Sequence, residues 1–259
     1  MTNYKTVAIG AYMGPSYLGS AFYFAGRASA IEQAPPSDVF TRVTAHSSYA
    51  NFAVIAAVSA LESSINEWFT DKSDHGSSLR RGPLPLVNRI WEMGIPRTAS
   101  FQILQKYQVA LALMRKPSLN EATEPFQSAK LVIELRNWLI HFEPTMEPLP
   151  IAEKLDLLKP HKLSRKLRGR FPLNALAQPH SPFWPYKCMG AGCARWAAES
   201  AWSFIENFTL RCHQGLPITM RRRLLIMHFY RAQARTSPTS RFSGREQNDL
   251  HSVNASARR

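Results

Sequence analysis

The chain has few cysteines, few acids and no clean long apolar run. Three cysteines in 259 residues are too few for a disulfide scaffold, and their odd number argues against a fully paired secreted protein. Acidic residues number 18 against 32 lysines and arginines, a formal net charge of +14. The one long uncharged stretch, Thr6 to Gly26, has the length of a membrane span. Gly10, Gly14, Pro15, Gly19 and Gly26 interrupt it, with serines and tyrosines between them, so it fits a span poorly. A signal peptide fits poorly too. Only Lys5 precedes a weakly apolar stretch, although Ala28-Ser29-Ala30 resembles a cleavage site. The expectation is a cytoplasmic protein with no membrane partner. No internal repeat and no convincing alternating strand is visible.

What is present is a globular composition, 45% hydrophobic and 19% charged, which excludes wholesale disorder. The positive charge is concentrated. Ile151 to Arg170 carries a net +5 and Arg221 to Arg259 a net +7, leaving +2 for the other 200 residues. Such segments attract polyanions by releasing counterions. They also solubilise a surface, and charge alone does not name the partner.

Apolar spacing is helical nearly throughout. A first helix is expected after Pro15, capped by Ser16 and stopped near Gln33 by Pro35-Pro36. A second covers about Val43 to Phe69, with Tyr49, Phe52, Ala53, Ala56, Ala57, Leu61, Ile65 and Trp68 at three- and four-residue spacing. Shorter helices follow at about Leu86–Met93 and Ser100–Arg115, then one at Phe126–Phe142 stopped by Pro144. The basic stretch Ile151–Leu167 reads as an exposed helix. The proline-rich Phe171–Lys187 reads as extended, with Phe183, Trp184 and Tyr186 packed onto the body. A strong helix spans about Gly190–Cys212, and the tail after Arg235 is aperiodic and disordered. The fold class is all-α, a helical bundle with an added N-terminal helix. The expected division is 1–39, an N-terminal helical arm; 40–217, the helical domain; and 218–259, a basic helix and tail.

The segment Lys130 to Phe142, KLVIELRNWLIHF, carries the chemistry. Its apolar residues imply burial on most sides. Yet it holds Arg136, Asn137 and His141, and an unpaired buried polar group costs on the order of 2–7 kcal/mol. Asn137 and His141 lie four apart, on one helix stripe. Arg136 sits about 100° round, on the adjoining stripe. The three can line one edge of a cleft. The structural alternative is that Arg136 pairs with Glu62 or Glu134, Asn137 bridges helices and His141 caps carbonyls.

The run R-N-W-L-I-H, Arg136 to His141, resembles the R-x4-6-H signature of the HEPN family, including a polar residue directly after the arginine. Ala60–Phe69 (ALESSINEWF), Phe171–Ala177 (FPLNALA) and Gly192–Ala197 (GCARWA) also look like uncharacterised bacterial HEPN-like proteins. The resemblance spans about Phe40 to Leu216. It implies a bundle of the HEPN type and a dimeric, metal-independent endoribonuclease that needs no cofactor. Arg136 would bind the scissile phosphate and stabilise its developing charge. His141 would act as general acid or base, with Asn137 orienting the histidine or the phosphate. The product would carry a 2′,3′-cyclic phosphate. The partners implied are RNA, a second copy of the chain and a cognate inhibitor, as in toxin–antitoxin or phage-defence systems. The alternative is a non-catalytic HEPN-like module that binds RNA or protein. One departure concerns Glu143, which stands where the toxins paired with nucleotidyltransferase antitoxins carry a tyrosine.

Other candidates are weaker. Cys188, Cys193, Cys212, His180 and His213 are metal-ligating types, but their spacing is not that of a zinc site. Gly190-Ala191-Gly192 ahead of a helix could cradle phosphate, but no strand precedes it. Glu62 is expected to pair with Arg136 across the bundle, and Glu67 to be solvated. His46, His75, His161, His228 and His251 sit among polar or basic neighbours and are expected in water. Arg221–Arg223, followed by Leu224, Leu225, Ile226, Phe229 and Tyr230, fits a basic amphipathic helix.

Overall fold

The computed structural model describes residues 12–35, 38–70, 102–142 and 161–212. The helices expected at Leu86–Met93 and Arg221–Tyr230, the first half of the basic 151–170 stretch and the tail lie outside them. The described residues are all-α: helices and no strand. Six helices appear: α1 (Gly14–Gln33), α2 (Val39–Thr70), α3 (Ile103–Leu113), α4 (Phe126–Ile140), α5 (Lys162–Leu167) and α6 (Ala191–Arg211). Among these residues no helix is long and apolar enough to cross a membrane.

Helices α1 and α2 form an antiparallel hairpin fastened at both ends. Pro15 supplies the preset φ of the first turn of α1, but Met13, not Ser16, occupies the cap position and brings no side-chain cap. Glu67, from the far end of α2, supplies it. Its Oε1 accepts the backbone N–H of Met13 at 2.5 Å and of Gly14 at 2.7 Å. At the other end Arg42 donates through Nη2 to the carbonyls of Ile31 and Ala34, each at 2.9 Å. A cation there also suits the negative end of the α1 dipole. Glu67 is therefore a buried cap, which corrects the expectation that it is solvated.

Helix α6 lies along the hairpin. Ala25, Ala50, Ala53 and Ala194 form a contact of small residues, and a side chain of one methyl at each lets the three backbones approach closely. At its start α6 meets a second borrowed cap. Glu32 Oε1 accepts from the Ala191 N–H at 2.9 Å and bonds His46 Nε2 at 2.8 Å. His46 is only 1% exposed, which corrects the expectation that it faces water. The partner of its ring is a carboxylate that no sequence neighbour reveals.

The core gathers between α2, α3, α4 and α6. Tyr107 of α3 makes edge contacts with Phe204 and Phe208 at 4.9 and 4.8 Å, and its hydroxyl donates to the Leu61 carbonyl at 2.7 Å. Phe126, Ala129, Val132 and Leu135 bring α4 to the same core. Phe183 and Trp184 pack down as expected, but Tyr186 is 61% exposed. The wide turn Phe183–Lys187 has an extended backbone at Trp184.

Candidate RNA-cleaving site at the end of helix α4

Helix α4 buries one side and bares the other. Ala129, Leu131, Val132 and Leu135 are buried, while Lys130, Asn137, Ile140 and His141 are exposed. The segment is thus buried along one face over its first three turns and open at its last, less enclosed than its apolar content implied. His141 follows the last helical residue and its N–H donates to the Asn137 carbonyl at 2.9 Å. That bond keeps the His141 N–H on the helical turn, while its own φ of −107° and ψ of 51° leave the helix; Asn137 and His141 both face solvent, on the side of Lys130.

Arg136 lies apart from them. About 100° separates it from Asn137 and about 140° from His141 around the axis. It stands on the flank of Ala129, Val132 and Leu139, half-buried, with its Nε shielded from water. That Nε has no hydrogen-bond partner among the described residues. The two carboxylates expected to neutralise it are engaged elsewhere. Glu62 takes Lys106 at 3.4 Å, and Glu134 takes Lys166 at 2.6 Å. The expected pairing of Glu62 with Arg136 is thereby corrected. Lys106 sits on α3, which faces that turn of α2, and Asn66 holds the same ammonium at 3.1 Å.

No family model, no curated protein and no solved structure matches the chain. The chemistry is therefore read from the side chains themselves. A guanidinium half-removed from water and without an ion pair among the described residues favours an incoming anion. An exposed imidazole and an exposed amide one turn apart offer a proton carrier and a donor–acceptor group to what that anion belongs to.

Beside these residues is an aromatic cluster that sequence reasoning missed. Trp138 meets Trp184 at 4.5 Å and Phe142 at 5.1 Å, both edge-on. His161 stacks on Trp184 at 5.0 Å with 12° between planes, and its Nδ1 accepts from the Leu163 N–H at 3.3 Å to cap α5. It is half-buried, not solvated. The Trp138–Phe142 spacing of four was a visible signal; the arrival of Trp184 and His161 was not.

The cysteine and glycine candidates are absorbed by structure, while His213 lies outside the described residues. Cys188, Cys193 and Cys212 are buried free thiols, and among the described residues no group of three metal-ligating side chains assembles. The anion at the start of α6 is Glu32, which occupies the place a phosphate would take. Gly190 and Gly192 answer to close packing. A Cβ on Gly192 would lie 2.2 Å from the Pro172 carbonyl oxygen, and one on Gly190 2.7 Å from the Asn174 Cα.

Proposed function

We propose that the chain is a metal-independent endoribonuclease of the HEPN type, acting as a homodimer in toxin–antitoxin or phage-defence biology. The observation that carries the reading is the state of Arg136: a half-buried guanidinium with Nε unpartnered among the described residues, directly before an exposed Asn137 and five residues before an exposed His141. Arg136 binds the scissile phosphate and offsets the charge that develops on its oxygens. His141 takes the proton of the ribose 2′-hydroxyl or gives one to the departing 5′-oxygen. Asn137, on the same side, orients the ring or the phosphate. The 2′-oxygen attacks phosphorus, the 5′-oxygen leaves, and the products are a 2′,3′-cyclic phosphate and a 5′-hydroxyl.

A second copy fits this geometry. Arg136 and His141 point to different flanks of one helix, so two facing α4 ends allow one protomer's guanidinium to serve its partner's imidazole. The test is chemical. In EDTA, the protein is expected to cut a single-stranded RNA and leave cyclic phosphate ends. The same strand with 2′-deoxyribose throughout is expected to remain intact. Cleavage of the deoxy strand would end the proposal.

A further inference from the structure

We infer that the end of α4 and the basic helix α5 form a subsite for single-stranded RNA, with an unpaired base stacked on Phe142 and its phosphates held by Lys162 and Arg165. The inference rests on the ribonuclease reading, which it deepens by naming the strand form that this helix end takes.

The rings form a graded series. Trp184 is fully buried, Trp138 half-buried, and Phe142 is 58% exposed. Trp138 bridges the other two edge-on. Phe142 is therefore a braced ring with a face in water, immediately after His141. A ring already held by its neighbours loses little freedom when a base stacks on it, and every base presents a π-face. Duplex RNA hides its bases within the stack, so such a ring favours an unpaired strand.

The stretch that opens on this cluster carries charge of one sign, although Glu143 follows Phe142 in the chain. Residues 161–170 include Lys162, Arg165, Lys166, Arg168 and Arg170 and no acid. Three of the five are occupied: Lys166 by Glu134 at 2.6 Å, Arg170 by Glu124 at 3.4 Å, and Arg168 over the Phe183 ring at 4.4 Å. Lys162 and Arg165 are exposed and have no ion pair among the described residues. His161 joins the two halves. It caps α5 through Nδ1 and stacks on Trp184, so the basic helix starts on the aromatic cluster itself.

The test uses the full chain carrying His141→Ala, in EDTA, so that binding is read without cleavage. The probe is a ten-nucleotide unpaired RNA, alone or annealed to its complement, followed by fluorescence anisotropy. Phe142→Ala is expected to weaken binding of the single strand by about 5- to 150-fold, and Phe142→Tyr to keep it within about threefold. Lys162→Gln with Arg165→Gln is expected to reduce the slope of log affinity against log salt by about 1.4. Circular dichroism checks that each variant keeps its helix content. Unchanged binding by Phe142→Ala, or duplex bound as tightly as single strand, overturns the inference. So does a Phe142→Ala chain that changes its sedimentation mass but not its RNA affinity, since the ring then belongs to a protein interface. Stacking without cleavage by the unsubstituted chain removes the nuclease and leaves the subsite. Cleavage with Phe142→Ala unchanged does the reverse. No RNA binding under any condition removes both.

Discussion

Two glutamates hold helix starts that their own helices leave bare. Glu67 serves α1 and Glu32 serves α6, each from another helix. A carboxylate at a helix N-terminus satisfies orphan N–H groups and meets the positive end of the dipole. Glu67→Ala leaves two N–H groups without an acceptor and is expected to cost about 2 kcal/mol. Urea unfolding should show the loss as a lower midpoint at unchanged slope. Glu67→Gln keeps an acceptor oxygen and should recover part of it. If Glu67→Ala unfolds at the parent midpoint, the cap contributes nothing. None of this was legible from local sequence. His46 stands between Ala45 and Ser47, and Glu67 between Asn66 and Trp68, and only the fold brings a carboxylate to the one and a second backbone to the other. Arg136 is the converse case. Its oddity in an apolar run was visible, but the diversion of Glu62 to Lys106 and of Glu134 to Lys166 required the packing of α3 and α5.

The helices themselves were largely legible, because their apolar spacing and proline stops act within a few residues. Gln33 ends α1 where Pro35 forbids continuation, and Phe126 opens α4 after Pro125. Starts were less legible. Helix α2 begins at Val39 rather than near Val43, since exposed Phe40 and Val43 give no buried stripe to mark it. The start of α6 exposes another limit. Gly190 and Gly192 suggested a phosphate cradle, whereas the Pro172–Asn174 segment crosses so closely that a side chain has no room. Gly192→Ala sets a methyl against a backbone carbonyl, which cannot swing away as a side-chain tip could. The expected cost is about 1–3 kcal/mol, measurable as a lower melting temperature. An unchanged melting temperature would mean that the crossing relaxes freely. Tyr186 was misjudged: its apolar, proline-rich neighbours implied packing, but its ring is exposed.

At the scale of the whole molecule, three buried acids set an alkaline limit. Burial raises Tyr107 well above the ordinary phenol value, helped by the negative charge of Glu67. A hydrogen bond with Cys188, then burial, raises Cys193. Burial pushes Cys212 up to about 12, with Lys116 pulling the other way. Each group binds its proton more tightly folded than unfolded. Stability from all three is complete below the unfolded values, near pH 9 for the thiols, and is lost as pH rises toward the folded ones. Melting temperature is therefore expected to hold from pH 7 to about 8.5 and fall steadily above about 9. A Tyr107→Phe chain should fall less steeply. A flat profile to pH 11 would contradict the burial of these groups. The thiols should also resist a disulfide reagent until the chain is unfolded, when three become reactive.

The functional claim belongs to this scale as well, since it needs the neutral body, the basic segments and a second copy together. Its sharpest test compares the unsubstituted chain with Arg136→Ala and His141→Ala on one RNA, in EDTA, at matched concentration. Each variant is expected to lose cleavage by about 100-fold or more while keeping the parent melting temperature to within a few degrees. Equal cleavage by all three proteins would show that the activity lies elsewhere and that Arg136 and His141 have no part in it.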